Sequence, residues 1–207
     1  MQVTFARRLL LARACSLAIG LLVGSFPSVT RAKDTPLGAV DEMFLNARLD
    51  LSLLRKLSVY EPQTAEWRTL RADEIPGQRG KLIVLHLWAE WCGPCKEELP
   101  LWKELTHQLQ AARKDQLEFV FLSVSHGPLE ARQYIVENRA RFPRAPLFHD
   151  TSSAIGGVLR GLSLSDELPL PTTLLLDERG VIRYGFIGSV AARTAGLRQA
   201  INRILQR

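Results

Sequence analysis

The sequence predicts an α/β fold in which a central mixed β-sheet is flanked by α-helices. Three observations predict it. Leu82–Trp88 and Leu117–Val124 are near-continuous apolar runs of strand length, as expected of strands buried on both faces. Segments of helical length alternate with the strand-like runs. Near the end, two further strand-like runs surround the turn Asp177-Glu178-Arg179-Gly180 and read as a hairpin. The chain has 207 residues, of which 46% are hydrophobic and 23% charged. That suits one domain with a substantial core plus terminal additions, and argues against disorder or a multi-span membrane protein.

Residues 1–32 read as a signal peptide or membrane anchor. Arg7 and Arg8 precede a largely apolar, uncharged run from Ala14 to Phe26, which meets Pro27 and ends in Thr30-Arg31-Ala32. The run is short for a full span, which takes about 20 apolar residues. Cleavage after Ala32 is the first expectation and an uncleaved anchor through residues 9–26 the second. Either makes the protein exported: periplasmic, or anchored on the extracytoplasmic side of a membrane. Loss of Arg7, Arg8, Arg13 and Arg31 lowers the formal net charge from +6 to +2. The body has no basic stripe with interleaved aromatics, so nucleic acid is not an expected partner.

Residues 33–64 are expected to form a helical extension. Phe44, Ala47, Leu51 and Leu54 fall at helical spacing, Asp41 is a candidate cap, and Glu61-Pro62-Gln63 ends the helix. The main domain is expected over 65–207. Trp67–Arg71 reads as a short strand and Ile75–Gly80 as a turn before the strand Leu82–Trp88. A helix follows from Cys95 to about Ala112, with a kink expected at Pro100. Leu117–Val124 is the next strand, Pro128–Arg141 a helix, Ala145–Phe148 a short strand and Thr151–Leu159 a short helix. Thr172–Leu176 and Val181–Ile187 make the hairpin, and Ala192–Gln206 closes the chain as a helix.

Chemistry concentrates in Trp91-Cys92-Gly93-Pro94-Cys95. Of the three cysteines, Cys15 lies in the N-terminal apolar stretch and only Cys92 and Cys95 lie in the body. A loop this small does little to staple a fold, so the pair's value is chemical. The first cysteine follows the carboxyl end of a strand and meets the start of a helix. The partial positive charge and free N–H groups there favour a thiolate, so Cys92 is expected to attack and Cys95, nearly one turn deeper, to resolve. Gly93 permits a tight turn and Pro94 suits a first helical turn. Zinc is the competing reading, but the pair supplies two of four ligands and His86, His107, His126 and His149 are scattered. No metal or organic cofactor is expected beyond the redox-active Cys92–Cys95 disulfide.

The stretch from Trp88 to Lys96 resembles the thioredoxin active site almost letter for letter. Gly80-Lys81 before it and Glu98-Leu99-Pro100 after it are similar to the exported TlpA/ResA branch of that superfamily. Leu170-Pro171-Thr172-Thr173 and the apolar run to Gly180 resemble that branch's cis-proline segment. The resemblance covers about residues 65–207 and implies a thioredoxin-like fold. It implies a cis bond before Pro171 facing Cys92, with the backbone at Leu170 pairing an incoming extended peptide. Trp91, Gly93, Pro94 and Leu170 are the expected client-contacting residues. At the position where thioredoxin holds a buried Asp, this chain has His86. His86 is expected beneath Cys95, either as its base near neutral pH or as a satisfied core histidine. Trp91 is expected to cover the disulfide and Trp88 to be core. Glu90, Glu97, Glu98 and Glu137 are expected to be solvated or helix-start charge.

These readings converge on an exported protein-disulfide oxidoreductase. The Gly-Pro dipeptide resembles reducing thioredoxins, which points to reduction of disulfide-bearing client proteins and recharging by a membrane electron donor. The alternatives are a redox-active delivery module in cytochrome c or metal-site maturation and, less favoured, a thiol peroxidase.

Overall fold

A computed structural model describes residues 45–162 and 167–206. The leader of residues 1–32, the anchor of residues 9–26 and the candidate cap Asp41 lie outside the described residues. The elements in chain order are β1 (Ser58–Glu61), β2 (Glu66–Thr69), β3 (Leu82–Trp88), α1 (Gly93–Arg113), β4 (Leu117–Ser123) and α2 (Pro128–Asn138). They continue with β5 (Leu147–His149), α3 (Ala154–Leu162), β6 (Thr172–Leu176), β7 (Ile182–Ile187) and α4 (Thr194–Leu205). The sheet has seven strands in the order β2-β1-β5-β4-β3-β6-β7. Strands β3, β4 and β5 run parallel, while β6, β7, β1 and β2 pair antiparallel to their neighbours. This is the mixed sheet the sequence predicts, and it has the thioredoxin-like arrangement.

The unbroken apolar run of β3 has a two-sided cause. Leu82, Val84 and Trp88 pack on one face with Leu99, Trp102 and Leu105 of α1 and Leu197 and Ile201 of α4. Ile83, Leu85 and Leu87 pack on the other with Ile155 and Leu159 of α3 and Leu174 and Leu176 of β6. Alternate side chains of a strand point to opposite faces, so a strand covered on both must be apolar throughout. His86 is the exception, and it points into the α1 face among its even-numbered neighbours.

The expected helix within residues 33–64 is not what the described part forms. After a turn at Asn46, residues 47–49 lie against the start of β7 through an antiparallel bridge between Arg48 and Val181. The Asn46 N–H donates to the Ile182 carbonyl at 2.9 Å, the Ile182 N–H to Ala47 at 2.8 Å and the Leu49 N–H to Gly180 at 2.9 Å. A single 3-10 stretch, Leu51–Lys56, follows, capped by Asp50 accepting from the Ser52 N–H. Ser58–Glu61 is then a strand between β2 and β5. Local leucine spacing suits a helix, but Leu49, Leu54 and Leu57 are buried by the sheet's second face, and that tertiary demand wins. Gly180 makes the docking possible. Its φ is +77°, and a Cβ there would collide with the Leu49 carbonyl.

Most other boundaries move by one to three residues from the expected ones. Helix α1 starts at Gly93 rather than Cys95, and the end of the expected α2 is a separate 3-10 turn, Arg139–Arg141. Pro100 lies inside α1. Its missing N–H leaves the Lys96 carbonyl without a helical donor, and the Arg141 guanidinium supplies one at 2.9 Å.

Candidate active site

Cys92 and Cys95 form a disulfide with their Cα atoms 5.3 Å apart. Cys92 is the N-cap of α1. Its Sγ accepts the Cys95 N–H at 3.2 Å, and its carbonyl accepts the Lys96 N–H at 3.2 Å. One sulfur therefore sits against the orphan N–H groups of a helix start, where negative charge is favoured. Cys92 is 5% exposed and Cys95 fully buried. Pro94 occupies the first turn and is exposed. Gly93 departs from its expected reason. It lies in α1, and a Cβ there would meet nothing within 4 Å. Neither a positive φ nor a close approach requires glycine there.

The Leu170–Pro171 bond is cis. Leu87 pairs with Thr172 in the β3–β6 register, so Pro171 stands at the end of β3 from which the chain leads into Cys92. The Gly188 N–H donates to the Pro171 carbonyl at 2.7 Å, tying it to the loop after β7. Leu170 is half-buried beside it. Trp91 is 53% exposed, with its ring 6.0 Å from that of His126. That ring neighbour, His126, lies just before α2. Trp88 is core, as expected.

His86 is fully buried. Its Nδ1 lies 3.0 Å from the Thr173 hydroxyl, and its ring packs against Trp102 and Phe121 at centroid distances of 4.7 and 5.5 Å. Burial pushes its pKa down to about 3, so the imidazole is neutral at physiological pH. A lowered pKa favours the core-histidine alternative over a base titrating near neutrality. The group it faces is Glu98. His86 Nε2 lies 3.3 Å from Glu98 Oε1. The two atoms are off the line of a hydrogen bond, and the Trp102 indole also interacts with the Glu98 carboxylate.

Glu98 is the residue the sequence reading missed. Expected on the surface, it is 3% exposed and lies one turn beyond Cys95. Its Oε2 accepts the Ser189 hydroxyl at 2.8 Å and the Val190 N–H at 3.0 Å. Burial raises its pKa above the usual carboxylate range, and those two donors partly offset this. The signal was present in helical spacing. The buried face of α1 is Cys95, Leu99, Trp102, Leu105 and Leu109, and position 98 falls on it. Glu90 has a different setting. It is partly exposed and accepts the Ser125 hydroxyl, which lies 2.7 Å from that of Ser123. Glu97 and Glu137 are exposed, as expected. Among the described residues no three His, Cys, Asp or Glu side chains are grouped to hold a metal.

A cis-proline at the mouth of the sheet, opposite a disulfide that caps a helix, defines a thiol–disulfide oxidoreductase of thioredoxin-like fold. The sequence profile of the AhpC/TSA family matches residues 55–185, and the chain belongs to that family. It is similar to the sporulation thiol-disulfide oxidoreductase A of Bacillus subtilis, with 27% identity over 128 residues, 60% of this chain and 71% of that protein. It is 27% identical to the thiol-disulfide oxidoreductase ResA of the same organism over 109 residues, 53% of this chain and 54% of the relative. Among solved structures it resembles a putative thiol:disulfide interchange protein DsbE from Chlorobium tepidum. That match has a TM-score of 0.49 at 20% identity and covers 60% of this chain and 80% of that one. Exchange with protein substrates follows from the family.

Proposed function

We propose that this protein is an exported reductant of disulfides in client proteins. The observation that carries the reading is the asymmetry of the two sulfurs. Cys92 caps a helix at the accessible edge, and Cys95 is sealed beneath it. In the reduced protein the Cys92 thiolate attacks one client sulfur. The client's S–S bond breaks, a mixed disulfide forms, and the second client sulfur leaves as a thiolate that takes a proton. The Cys95 thiol then loses its proton and attacks Cys92 Sγ, which releases the client's remaining thiolate and restores the Cys92–Cys95 disulfide. Two electrons have passed to the client.

The proton from Cys95 needs a destination away from water. The buried titratable groups beyond it are Glu98 and His86. We assign the proton to the Glu98 carboxylate, whose affinity for it is raised by burial, with the neutral His86 imidazole beside it. Pro171 and Leu170 present the backbone edge that orients the client strand, and Trp91, Gly93 and Pro94 form the surface it crosses. Export rests on the basic and apolar pattern of residues 1–32, with anchoring through residues 9–26 as the variant in which the leader stays. The reducing direction rests on the Gly93-Pro94 dipeptide. In an oxidising compartment it needs a membrane electron donor to regenerate the dithiol.

The test is trapping. Cys95→Ala in the native compartment should accumulate mixed disulfides through Cys92, identified by mass spectrometry. An empty trap sinks the reductase reading. Insulin reduction by the parent protein separates it from a delivery module with little turnover, and peroxide consumption without disulfide reduction would mark a thiol peroxidase instead.

A further inference from the structure

Cations among the described residues differ in their partners, and one unpaired set lies next to the redox centre. Arg68 pairs with Glu61 and Glu74, Arg132 with Glu66, and Arg183 with Asp177. Lys96, Lys103, Arg139, Arg141 and Arg144 make no ion pair among the described residues. Their partners are neutral. Arg141 donates to the Lys96 carbonyl at 2.9 Å, and Lys103 to the Ala140 carbonyl at 2.8 Å. Arg139 donates to the Pro143 carbonyl at 3.4 Å, and the Lys96 ammonium stands 5.7 Å from the centre of the Tyr134 ring. These contacts hold Lys96, Lys103, Arg139 and Arg141 without an acidic partner, and the exposed Arg144 lies beside Arg139.

The group is contiguous with the redox centre. Lys96 follows Cys95, and its N–H is bonded to the Cys92 carbonyl. The Lys96 carbonyl that holds Arg141 is free because Pro100, four residues on, has no N–H to give it. Lys96 and Lys103 are seven apart on α1 and share a stripe that faces the Arg139–Arg141 turn. Glu97 and Glu104, also seven apart, share the neighbouring stripe, and Glu104 is engaged by Gln108 at 2.5 Å. Charge is thus sorted by face, with the cations on the side where the 3-10 turn meets α1.

We propose that this ridge docks an acidic polypeptide segment lying beside the reacting cysteine of the client, resting on the reading that Cys92 exchanges with protein disulfides. Side chains already held by carbonyls lose little freedom on binding, and unpaired like charges at the rim of a site steer an oppositely charged partner. A polypeptide fits better than a lipid surface because the ridge starts at the disulfide itself. The exposed large apolar residues Trp91, Leu129, Val136 and Val158, which a membrane would take up, are not part of it.

The test uses the full chain, reduced and freed of reductant, against two synthetic disulfide peptides of one core sequence. One is flanked by Asp and Glu, the other by Lys. At about 20 mM salt the acidic peptide should be reduced about tenfold faster, and the advantage should fade by about 300 mM as screening shortens the reach of the charges. Lys103→Glu with Arg141→Glu should bring the two peptides within about twofold of each other, while reduction of uncharged hydroxyethyl disulfide stays at the parent rate. Equal rates for the two peptides at low salt overturn the proposal, as does a preference that survives the double variant. Binding to phosphatidylglycerol vesicles that the double variant loses, without any peptide preference, overturns it in favour of a membrane. Failure to reduce hydroxyethyl disulfide as well would bring down the exchange reading rather than the ridge alone.

Discussion

Two carboxylates flank the disulfide, Glu90 two residues before Cys92 and Glu98 three residues after Cys95. The sequence treats them alike, as acids close to a helix start. The structure separates them. Glu90 remains partly exposed and takes one hydroxyl, that of Ser125. Glu98 is buried, accepts from Ser189 and Val190 of the loop after β7, and stands against His86. Through that loop it also reaches the cis-proline, because Gly188 holds the Pro171 carbonyl. A charge next to a reactive thiol is therefore not defined by its distance along the chain. Its solvent and its partners decide whether it titrates with the chemistry or merely decorates the rim.

The sharpest way to break this comparison is kinetic. With a preformed mixed disulfide on Cys92, Glu98→Gln should slow release of the client thiol by about a hundredfold near neutral pH, because it removes the acid that shares the Cys95 proton. Its rate should also lose the parent's pH dependence, which a purely structural role would leave in place. Glu90→Gln in the same assay should stay within about twofold of the parent, the size expected of a change on a partly solvated group. Comparable slowing by both variants would put the proton elsewhere.

Stability should divide the pair next. Glu98→Ala strips the acceptor from the Ser189 hydroxyl and the buried Val190 N–H, and an unsatisfied buried donor costs about 1–3 kcal/mol. The urea midpoint should fall accordingly, whereas Glu90→Ala should cost under about 0.5 kcal/mol, as surface changes do. Equal losses would mean that burial of Glu98 contributes nothing to the fold.

A smaller effect comes from His86 and has a definite sign. Its pKa is about 3 in the folded protein against the ordinary 6.5. As pH falls below 6.5 the unfolded chain takes up a proton that the buried imidazole refuses, so stability drops toward acid, by about 1.4 kcal/mol per pH unit at most. Glu98 works in the opposite direction. Its raised pKa keeps a proton in the folded state that the unfolded state releases, so its contribution declines as pH rises. Urea midpoints between pH 7 and pH 4 should show the acid-side loss in the parent and its reduction in His86→Asn. An unchanged slope would detach His86 from the buried pair. Ser125→Ala removes the Glu90 contact and the one to the Ser123 hydroxyl and should cost about 0.5 kcal/mol by urea denaturation, no less than Glu90→Ala.

Much of the fold was legible. Strands β3, β4 and β6 were readable because strands buried on both faces leave unbroken apolar runs, and the Asp177–Gly180 turn announced the hairpin. The segment before β2 was misread because Ala47, Leu51 and Leu54 have helical spacing, while the contacts that decide their conformation come from β7 and β5, more than eighty residues away. The same limit applied at the site. Cys92 and Cys95 were plain from their spacing, and Pro171 from its resemblance. Glu98 was hidden because a charged letter reads as solvent-facing unless the buried periodicity of the whole helix is weighed against it.

By itself, then, the sequence determined the class of fold and the redox pair, since local patterns encode strand burial, helix starts and cysteine spacing. Tertiary structure alone decided what surrounds the pair. It placed Glu98 in the interior, turned His86 toward it and brought the unpaired cations of the Arg139–Arg141 turn beside Lys96. Those outcomes depend on which distant atoms share a desolvated volume, and desolvation is a property of the packed molecule that no short stretch of chain carries.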